Sequence, residues 1–147
     1  MTVQTDYYGL VEYEEESLII FPEGLFGFPE LKKYLPLLIN EEDDSMILLQ
    51  SVEQPAVAFA LINPAFLLSD YFPILTPEEL SFLGVEDSEE LSFLAICVMH
   101  DDYLENTVNL KSPLAINPET RIGMQVILEH SPYSFRHKLS SFPSIRP

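Results

Sequence analysis

Histidine and carboxylate side chains adjoin at His100-Asp101-Asp102, where the sequence comes nearest to a metal-binding cluster. A metal centre needs several such ligands at defined spacing, and no second histidine lies at helical or zinc-like spacing from His100. The acid run Glu41-Glu42-Asp43-Asp44 has neither the alternating ligands nor the glycine of a calcium loop. We therefore predict no metal site and no cofactor.

Catalytic groups are equally hard to find. General acid–base catalysis needs a carboxyl group whose pKa is shifted by burial or by a neighbour, whereas these acids occur in single-sign runs typical of solvated turns. Cys97 stands inside the apolar run Leu94–Met99, which favours a core side chain over a nucleophile. The sequence contains no G-x-S-x-G elbow and no glycine-rich phosphate loop. These observations predict a protein without catalytic residues.

Acidic residues are unevenly spread along the chain. Residues 1–110 contain 22 Asp and Glu against two Lys, a charge of −20, and residues 111–147 contain two Glu against five Lys and Arg, a charge of +3. Because 47% of the residues are hydrophobic, the acids must coat a folded core rather than form a disordered tail. Such a coat repels nucleic acid and anionic lipid, so we predict no direct binding to either, and it attracts a basic protein partner.

The length of the chain, its N-terminal residues and its cysteine content indicate the number of domains and the cellular compartment. A chain of 147 residues fits one domain, residues 1–147, which can bury its own core. The N-terminal residues lack the pattern of a secretion signal, and no apolar run reaches the roughly 18 residues of a membrane span. A single cysteine fits a reducing compartment. We predict a soluble cytoplasmic protein whose basic, serine- and proline-rich tail from about residue 134 is partly mobile.

Short apolar or alternating segments recur between acid-rich and proline-rich turns. The predicted strands are Val3–Tyr13, Ser17–Phe21, Leu35–Ile39, Met46–Val52, Val57–Ile62, Leu91–Met99, Asn106–Leu110, Leu114–Ile116 and Gly123–Leu128. Their spacing predicts an all-β fold, a small antiparallel β-barrel or sandwich. Thr76-Pro77-Glu78-Glu79 has the pattern of a capped helix start, with Gly84 as its stop, and Pro29–Tyr34 predicts a second helical turn.

Four segments, in this order and spacing, resemble the flagellar assembly factor FliW family. They are Ile20–Phe28 with Glu30–Tyr34, Leu48–Val52 with Ala58-Phe59, Ile62-Asn63-Pro64 with Asp70-Tyr71, and Thr107–Asn117 with Arg121, Gly123, Gln125 and Val126. Each segment alone is weak, but together they span nearly the whole chain.

The resemblance implies a small cytoplasmic β-barrel-like protein without catalytic activity. Members of the family bind flagellin and, in many bacteria, the RNA-binding translational repressor CsrA. Flagellin occupies the assembly factor while it accumulates, and its export frees the factor to bind CsrA and relieve the block on flagellin messenger RNA. An RNA-binding repressor presents a basic surface, which fits the acid coat.

The candidate partner-binding residues lie at strand exits, where polar and backbone groups can meet a partner. They are Asn63, Pro64, Asn109, Lys111 and Pro113, together with the acid run Glu41, Glu42, Asp43 and Asp44. A competing interpretation is that Asn109 and Pro113 only shape a bend. Gln50 and Gln125, which stand in apolar strands, are predicted to satisfy internal backbone groups.

Two alternatives remain open at this point. The first is a small-molecule-binding β-barrel, in which the many phenylalanine and tyrosine side chains line a cavity. The second is an acidic hydrolase, for which the sequence offers no nucleophile and no convincing acid pair. The glycine-rich segment Gly24–Phe28 is predicted to be a tight bend whose Phe26 and Phe28 fill the core.

Overall fold

Strands and short helices alternate with turns throughout the computed structural model, which describes residues 1–40 and 43–142. The strands are β1 (Thr2–Thr5), β2 (Gly9–Glu12), β3 (Ile19–Ile20), β4 (Lys33–Asn40), β5 (Asp43–Ser51), β6 (Ala58–Ile62), β7 (Ser92–Val98), β8 (Thr107–Val108), β9 (Leu114–Asn117), β10 (Ile122–Gln125) and β11 (His137–Lys138). The α-helices are α1 (Pro64–Leu67) and α2 (Pro77–Leu83). No helix in this part of the chain is long and apolar enough to cross a membrane.

The larger sheet closes into a seven-strand barrel in the order β7-β6-β5-β4-β3-β10-β9, with β9 pairing back to β7. Strand β8 pairs with the end of β7 at Cys97 and Val98, and β11 pairs with β8. The predicted small all-β barrel is therefore confirmed. One pair differs from the antiparallel expectation, because β10 runs parallel to β3 at Ile122 and Ile20. These two strands are far apart in sequence, so no hairpin turn imposes an antiparallel pairing.

Side chains fill the barrel interior. Alternation along the strands directs one set of residues inward, and its largest fully buried members include Phe21, Tyr34, Leu49, Leu61 and Leu114. The rings of Phe21 and Tyr34 meet edge to face, with centroids 5.6 Å apart. The interior is thus a packed core of the kind that a small barrel needs.

The outside of the barrel is covered on two sides. Helices α1 and α2 and the C-terminal segment pack over Ile62, Ala95 and Cys97, while the β1–β2 hairpin packs Val3 against Leu35. Strands β6 and β7 are therefore covered on both faces in their central parts, which accounts for their runs of consecutive apolar residues. Burial raises the pKa of the Cys97 thiol to about 12, so this side chain is an unreactive thiol, as predicted from its apolar surroundings.

The predicted single strand Val3–Tyr13 is wrong, because the chain reverses within it. The Thr5 hydroxyl donates a hydrogen bond to the Gly9 carbonyl at 2.8 Å and accepts one from the Tyr8 N–H at 2.8 Å. Gly9 has φ of +69°, which a side chain would disfavour. The result is the β1–β2 hairpin.

Several other predicted strands are shorter in the structure. Ser17–Phe21 retains only β3, since Glu15–Ser17 forms a 3₁₀ turn. Asn106–Leu110 retains only β8, and Gly123–Leu128 ends at Gln125. Leu18, Leu110 and Val126 lie outside the shortened strands but are still buried in the hydrophobic clusters.

The predicted capped helix is confirmed as α2. The Thr76 hydroxyl accepts from the Glu79 N–H at 3.2 Å, and the Glu79 carboxylate accepts from the Thr76 N–H at 2.8 Å. Gly84 ends the helix in the left-handed region, with φ of +75°. This reciprocal pair satisfies two N–H groups that a helix start otherwise leaves unpaired.

The predicted helical turn at Pro29–Tyr34 is wrong. The Glu53 carboxylate accepts hydrogen bonds from the N–H groups of Lys32 at 2.6 Å and Lys33 at 2.9 Å, and β4 begins at Lys33. Those hydrogen bonds lower the pKa of Glu53, because they stabilise its charged form. A contact from a remote loop thus overrides the local helical preference.

The C-terminal segment packs on the barrel as far as Phe142. Strand β11 pairs with β8, the His137 ring accepts from the Ser134 N–H at 2.9 Å, and Leu139 and Phe142 are buried in the outer cluster. The composition of residues from about 134 predicted a partly mobile tail, and two apolar side chains in that polar segment account for its packing. Residues 143–147 lie outside the described residues.

Candidate functional site

Asn63 and Pro64 form the start of helix α1. The Asn63 side-chain oxygen accepts from the Ala65 N–H at 3.0 Å, which makes Asn63 the N-cap, and Pro64 is the first helical residue. Asn63 is exposed and Pro64 is buried. Both line a cleft of about 450 Å³ between α1 and strand β7, next to Tyr71 and Leu91. Their position at a strand exit agrees with the sequence expectation, and their first role is to shape the chain.

Asn109, Lys111 and Pro113 belong to the loop between β8 and β9. The Asn109 side-chain oxygen accepts from the Ser112 N–H at 2.9 Å, and the Pro113 carbonyl accepts from the Val126 N–H at 3.1 Å. These bonds support the interpretation that Asn109 and Pro113 shape a bend. The Lys111 ammonium lies 5.9 Å from the centre of the half-exposed Phe135 ring, which is a cation–π contact.

Tyr71 joins these two groups of residues. Its hydroxyl donates a 2.8 Å hydrogen bond to the Leu110 carbonyl, and its ring packs against that of Tyr133 with centroids 4.8 Å apart. Because Tyr71 also lines the cleft beside Asn63 and Pro64, the structure brings both sets of predicted residues to one region. Tyr71 was not among the predicted site residues, although Asp70-Tyr71 belongs to the segments that resemble the FliW family.

Two buried tyrosines give a matched test of this arrangement. We expect Tyr71→Phe to lower the free energy of unfolding by about 1–3 kcal/mol, because it leaves the buried Leu110 carbonyl without a partner. Tyr34→Phe is expected to be neutral or slightly stabilising, since the buried Tyr34 hydroxyl has no hydrogen-bond partner among the described residues. Urea denaturation of both variants measures the difference. Equal losses of stability would show that the Tyr71 hydrogen bond does not hold this region.

An apolar groove adjoins Tyr133. Residues 72–74 and 76 form one wall together with Glu79 of helix α2, and residues 127–133, which include Glu129 and His130, form the other, around a volume of about 460 Å³. Ile74 is 79% exposed, and Phe72 and Ile127 are also well exposed. Three large, exposed apolar side chains lie around one concave surface, which makes this groove a candidate binding surface.

Sequence reasoning missed this groove. The sequence does contain the apolar run Phe72-Pro73-Ile74-Leu75. In the structure, exposed and buried residues alternate along this run, although it forms no strand. Nothing in the run itself indicates that its outer side chains stay uncovered. The second wall comes from a part of the chain more than fifty residues away.

The acidic candidates are only partly described. Glu41 and Glu42 lie outside the described residues, and Asp43 and Asp44 belong to strand β5, with side chains that also lie outside them. Elsewhere in the described chain, ion pairs are limited to Lys33–Glu15 at 3.7 Å and Lys138–Glu105 at 3.6 Å. Most carboxylates there are therefore not neutralised by a basic side chain. Among the His, Cys, Asp and Glu side chains that the structure describes, no three are placed to hold a metal ion.

The two glutamines in the strands bind backbone groups, as predicted. The Gln50 amide donates to the carbonyls of Ser51 at 3.0 Å and Pro55 at 2.8 Å. The Gln125 side chain donates to the Ser112 carbonyl at 3.2 Å and accepts from the Phe26 N–H at 2.9 Å. Gln125 therefore ties the bend at Gly24–Phe28 to strand β10 and to the loop that carries Pro113.

Fold and surface together define a small acidic β-barrel with a filled interior and an open apolar groove on its outside. Residues 2–139 match the family model described as FliW protein. The chain is 37% identical over 139 residues to the flagellar assembly factor FliW of Caldanaerobacter subterraneus subsp. tengcongensis, covering 95% of this chain and 93% of that protein. It is 38% identical over 137 residues to the flagellar assembly factor FliW of Geobacter sulfurreducens, covering 93% and 85%.

A solved structure agrees. A crystal structure of the flagellar assembly factor FliW superposes with a TM-score of 0.86 at 33% identity, covering 97% of this chain and 98% of that one. The chain belongs to the FliW family of flagellar assembly factors.

Proposed function

We propose that this protein is a non-catalytic cytoplasmic regulator that binds flagellin and antagonises the RNA-binding translational repressor CsrA. Flagellin occupies the protein while it accumulates in the cell. Once flagellin is exported, the free protein binds CsrA and relieves its block on flagellin messenger RNA. Translation of flagellin is thereby coupled to its export.

The observation that carries the repressor half of the proposal is the unpaired acid coat. Residues 1–110 hold a charge of −20, and only two ion pairs form in the described part of the whole chain. A protein that binds RNA phosphates presents clustered Lys and Arg, which these carboxylates attract. Acid brought beside that basic surface weakens RNA binding by repulsion, without having to occupy the RNA site.

The apolar groove supports the flagellin half. Phe72, Ile74 and Ile127 offer apolar contact area, with Glu79 and Glu129 also lining the groove, so this surface differs in chemistry from the rest of the acidic coat and can bind a second kind of partner. The small-molecule alternative loses support, because the barrel interior is filled by side chains such as Phe21 and Leu61 that are fully buried. The described cavities named above lie on the outside of the barrel.

Ile74→Asp tests the flagellin half directly. We expect this variant to bind purified monomeric flagellin about tenfold or more weakly than the wild type, because it places a charge in an apolar contact. The matched control is Leu10→Asp on β2, where an apolar side chain that is 67% exposed lies away from the groove. Isothermal titration calorimetry gives both affinities, and the melting temperature verifies that the variants are folded.

Two results would contradict the proposal. If the wild-type protein fails to bind flagellin, or fails to bind CsrA, the proposed function is wrong. If Ile74→Asp and the wild type bind flagellin with equal affinity, the groove is not the flagellin-binding site, and the proposed function is unaffected.

A further inference from the structure

The motif Gly24-Leu25-Phe26-Gly27-Phe28 does not place its apolar side chains in one environment. Leu25 is buried in the barrel interior, and Phe28 packs edge to face on Phe59 with ring centroids 5.5 Å apart. Phe26, at the tip between them, is 54% exposed. The prediction that Phe26 fills the core is therefore wrong, because its two neighbours take the inward positions and the tight bend turns Phe26 outward.

The bend holds Phe26 in a defined place. Leu25 and Phe28 exchange backbone hydrogen bonds of 3.4 and 2.8 Å, which closes a turn whose positive φ, +88°, is at Gly27. The Gln125 side chain fixes the Phe26 N–H itself. A large apolar side chain on a rigid turn loses little conformational entropy when a partner covers it, and this raises its contribution to affinity.

Charge around the bend selects the kind of partner. Glu23 and Glu30 are exposed on the two arms of the bend, which approach each other where Gly24 faces Pro29. Close by in the sequence, Lys33 pairs with Glu15 at 3.7 Å, and the Lys32 ammonium, which keeps its charge, donates to the Pro22 carbonyl at 2.6 Å. No ion pair engages Glu23 or Glu30 in the described part of the chain, and the Glu53 carboxylate lies against the N–H groups of Lys32 and Lys33. In this part of the chain the three carboxylates of Glu23, Glu30 and Glu53 therefore outnumber the one unpaired ammonium of Lys32.

We propose that Phe26 is an anchor that inserts into an apolar pocket rimmed by Lys or Arg on the basic repressor, with Glu23 and Glu30 facing that rim. This inference rests on the proposed function and names a contact within it. An aromatic side chain surrounded by complementary charge is the usual composition of an interface hot spot. Phe26 does not line the apolar groove proposed for flagellin, so the two contacts can be tested separately.

Phe26→Ala tests the anchor. We expect its dissociation constant for purified CsrA to rise about tenfold or more, while Phe26→Leu keeps most of the affinity because it keeps an apolar side chain. The matched control is Phe82→Ala on α2, which removes another phenylalanine, 42% exposed, and is expected to change the affinity by less than about fivefold. Flagellin affinity should be unchanged in all three variants, and the melting temperature verifies that each variant is folded.

The outcomes separate this inference from the proposed function. If the wild type does not bind CsrA, both the proposed function and the Phe26 anchor are wrong. If the wild type binds and Phe26→Ala binds equally well, or if Phe26→Ala weakens flagellin rather than CsrA, the anchor alone is overturned. A second variant carries both Glu23→Gln and Glu30→Gln. It should bind CsrA more weakly than the wild type at low salt and as well as the wild type at high salt, where the charges are screened. Equal weakening at both salt concentrations would contradict the charged rim.

Discussion

Association with purified CsrA is expected to slow about ten- to a thousand-fold as salt rises from about 0.1 M to about 1 M, because screening shortens the Debye length from roughly 10 Å to roughly 3 Å. The charge of −20 on residues 1–110, with most described carboxylates unpaired, is the physical reason. Dissociation should change less, since it depends on desolvated contacts at the centre of the interface. Stopped-flow binding measures both rates.

Charge reversal gives the matched experiment. Glu86→Lys with Glu89→Lys should slow association at low salt, and the melting temperature should barely move, because both side chains are exposed and make no ion pair. Glu90 is not suitable, since its carboxylate accepts from the N–H groups of Glu86 and Asp87. An association rate that stays flat across the salt range would remove electrostatic steering and leave shape and apolar contacts as the basis of recognition.

Gly24→Ala is expected to lower the free energy of unfolding by about 2–5 kcal/mol, the sum of a left-handed backbone penalty and of overpacking. Gly24 has φ of +72°, and a Cβ added there would lie 2.5 Å from the Phe28 carbonyl oxygen and 2.5 Å from the Pro29 Cα. Both neighbours are backbone atoms, so relief requires the whole bend to move. Urea denaturation measures the loss.

Gly27→Ala is the control for this variant. Gly27 also has positive φ, +88°, but an added Cβ meets no atom within 4 Å. Its expected cost is the backbone penalty alone, about 1–2 kcal/mol. If the two variants lose equal stability, the close approach of Gly24 to Pro29 does not constrain the bend.

Local patterns in the sequence determine several elements. Apolar alternation predicts most of the barrel strands, since one set of side chains must face a filled interior. The capping box at Thr76 and the stop at Gly84 define helix α2 through contacts only a few residues apart. The apolar run around Cys97 and the position of Gln125 in a strand are enough to predict a buried thiol and an amide that binds backbone. The local pattern is enough to predict each of these features, although the groups that cover Cys97 and bind Gln125 come from distant parts of the chain.

The tertiary structure decides where distant segments meet. The groove forms because Phe72–Thr76 and residues 127–133 come together, and Tyr71 joins Asn63 to the loop containing Lys111 through a bond to Leu110. Lys33 starts a strand rather than continuing a helix because Glu53 accepts its N–H, and Phe26 is exposed because its neighbours occupy the core first. Periodicity predicts that a residue is apolar and extended, but which apolar residues stay uncovered depends on long-range packing, which no local pattern contains.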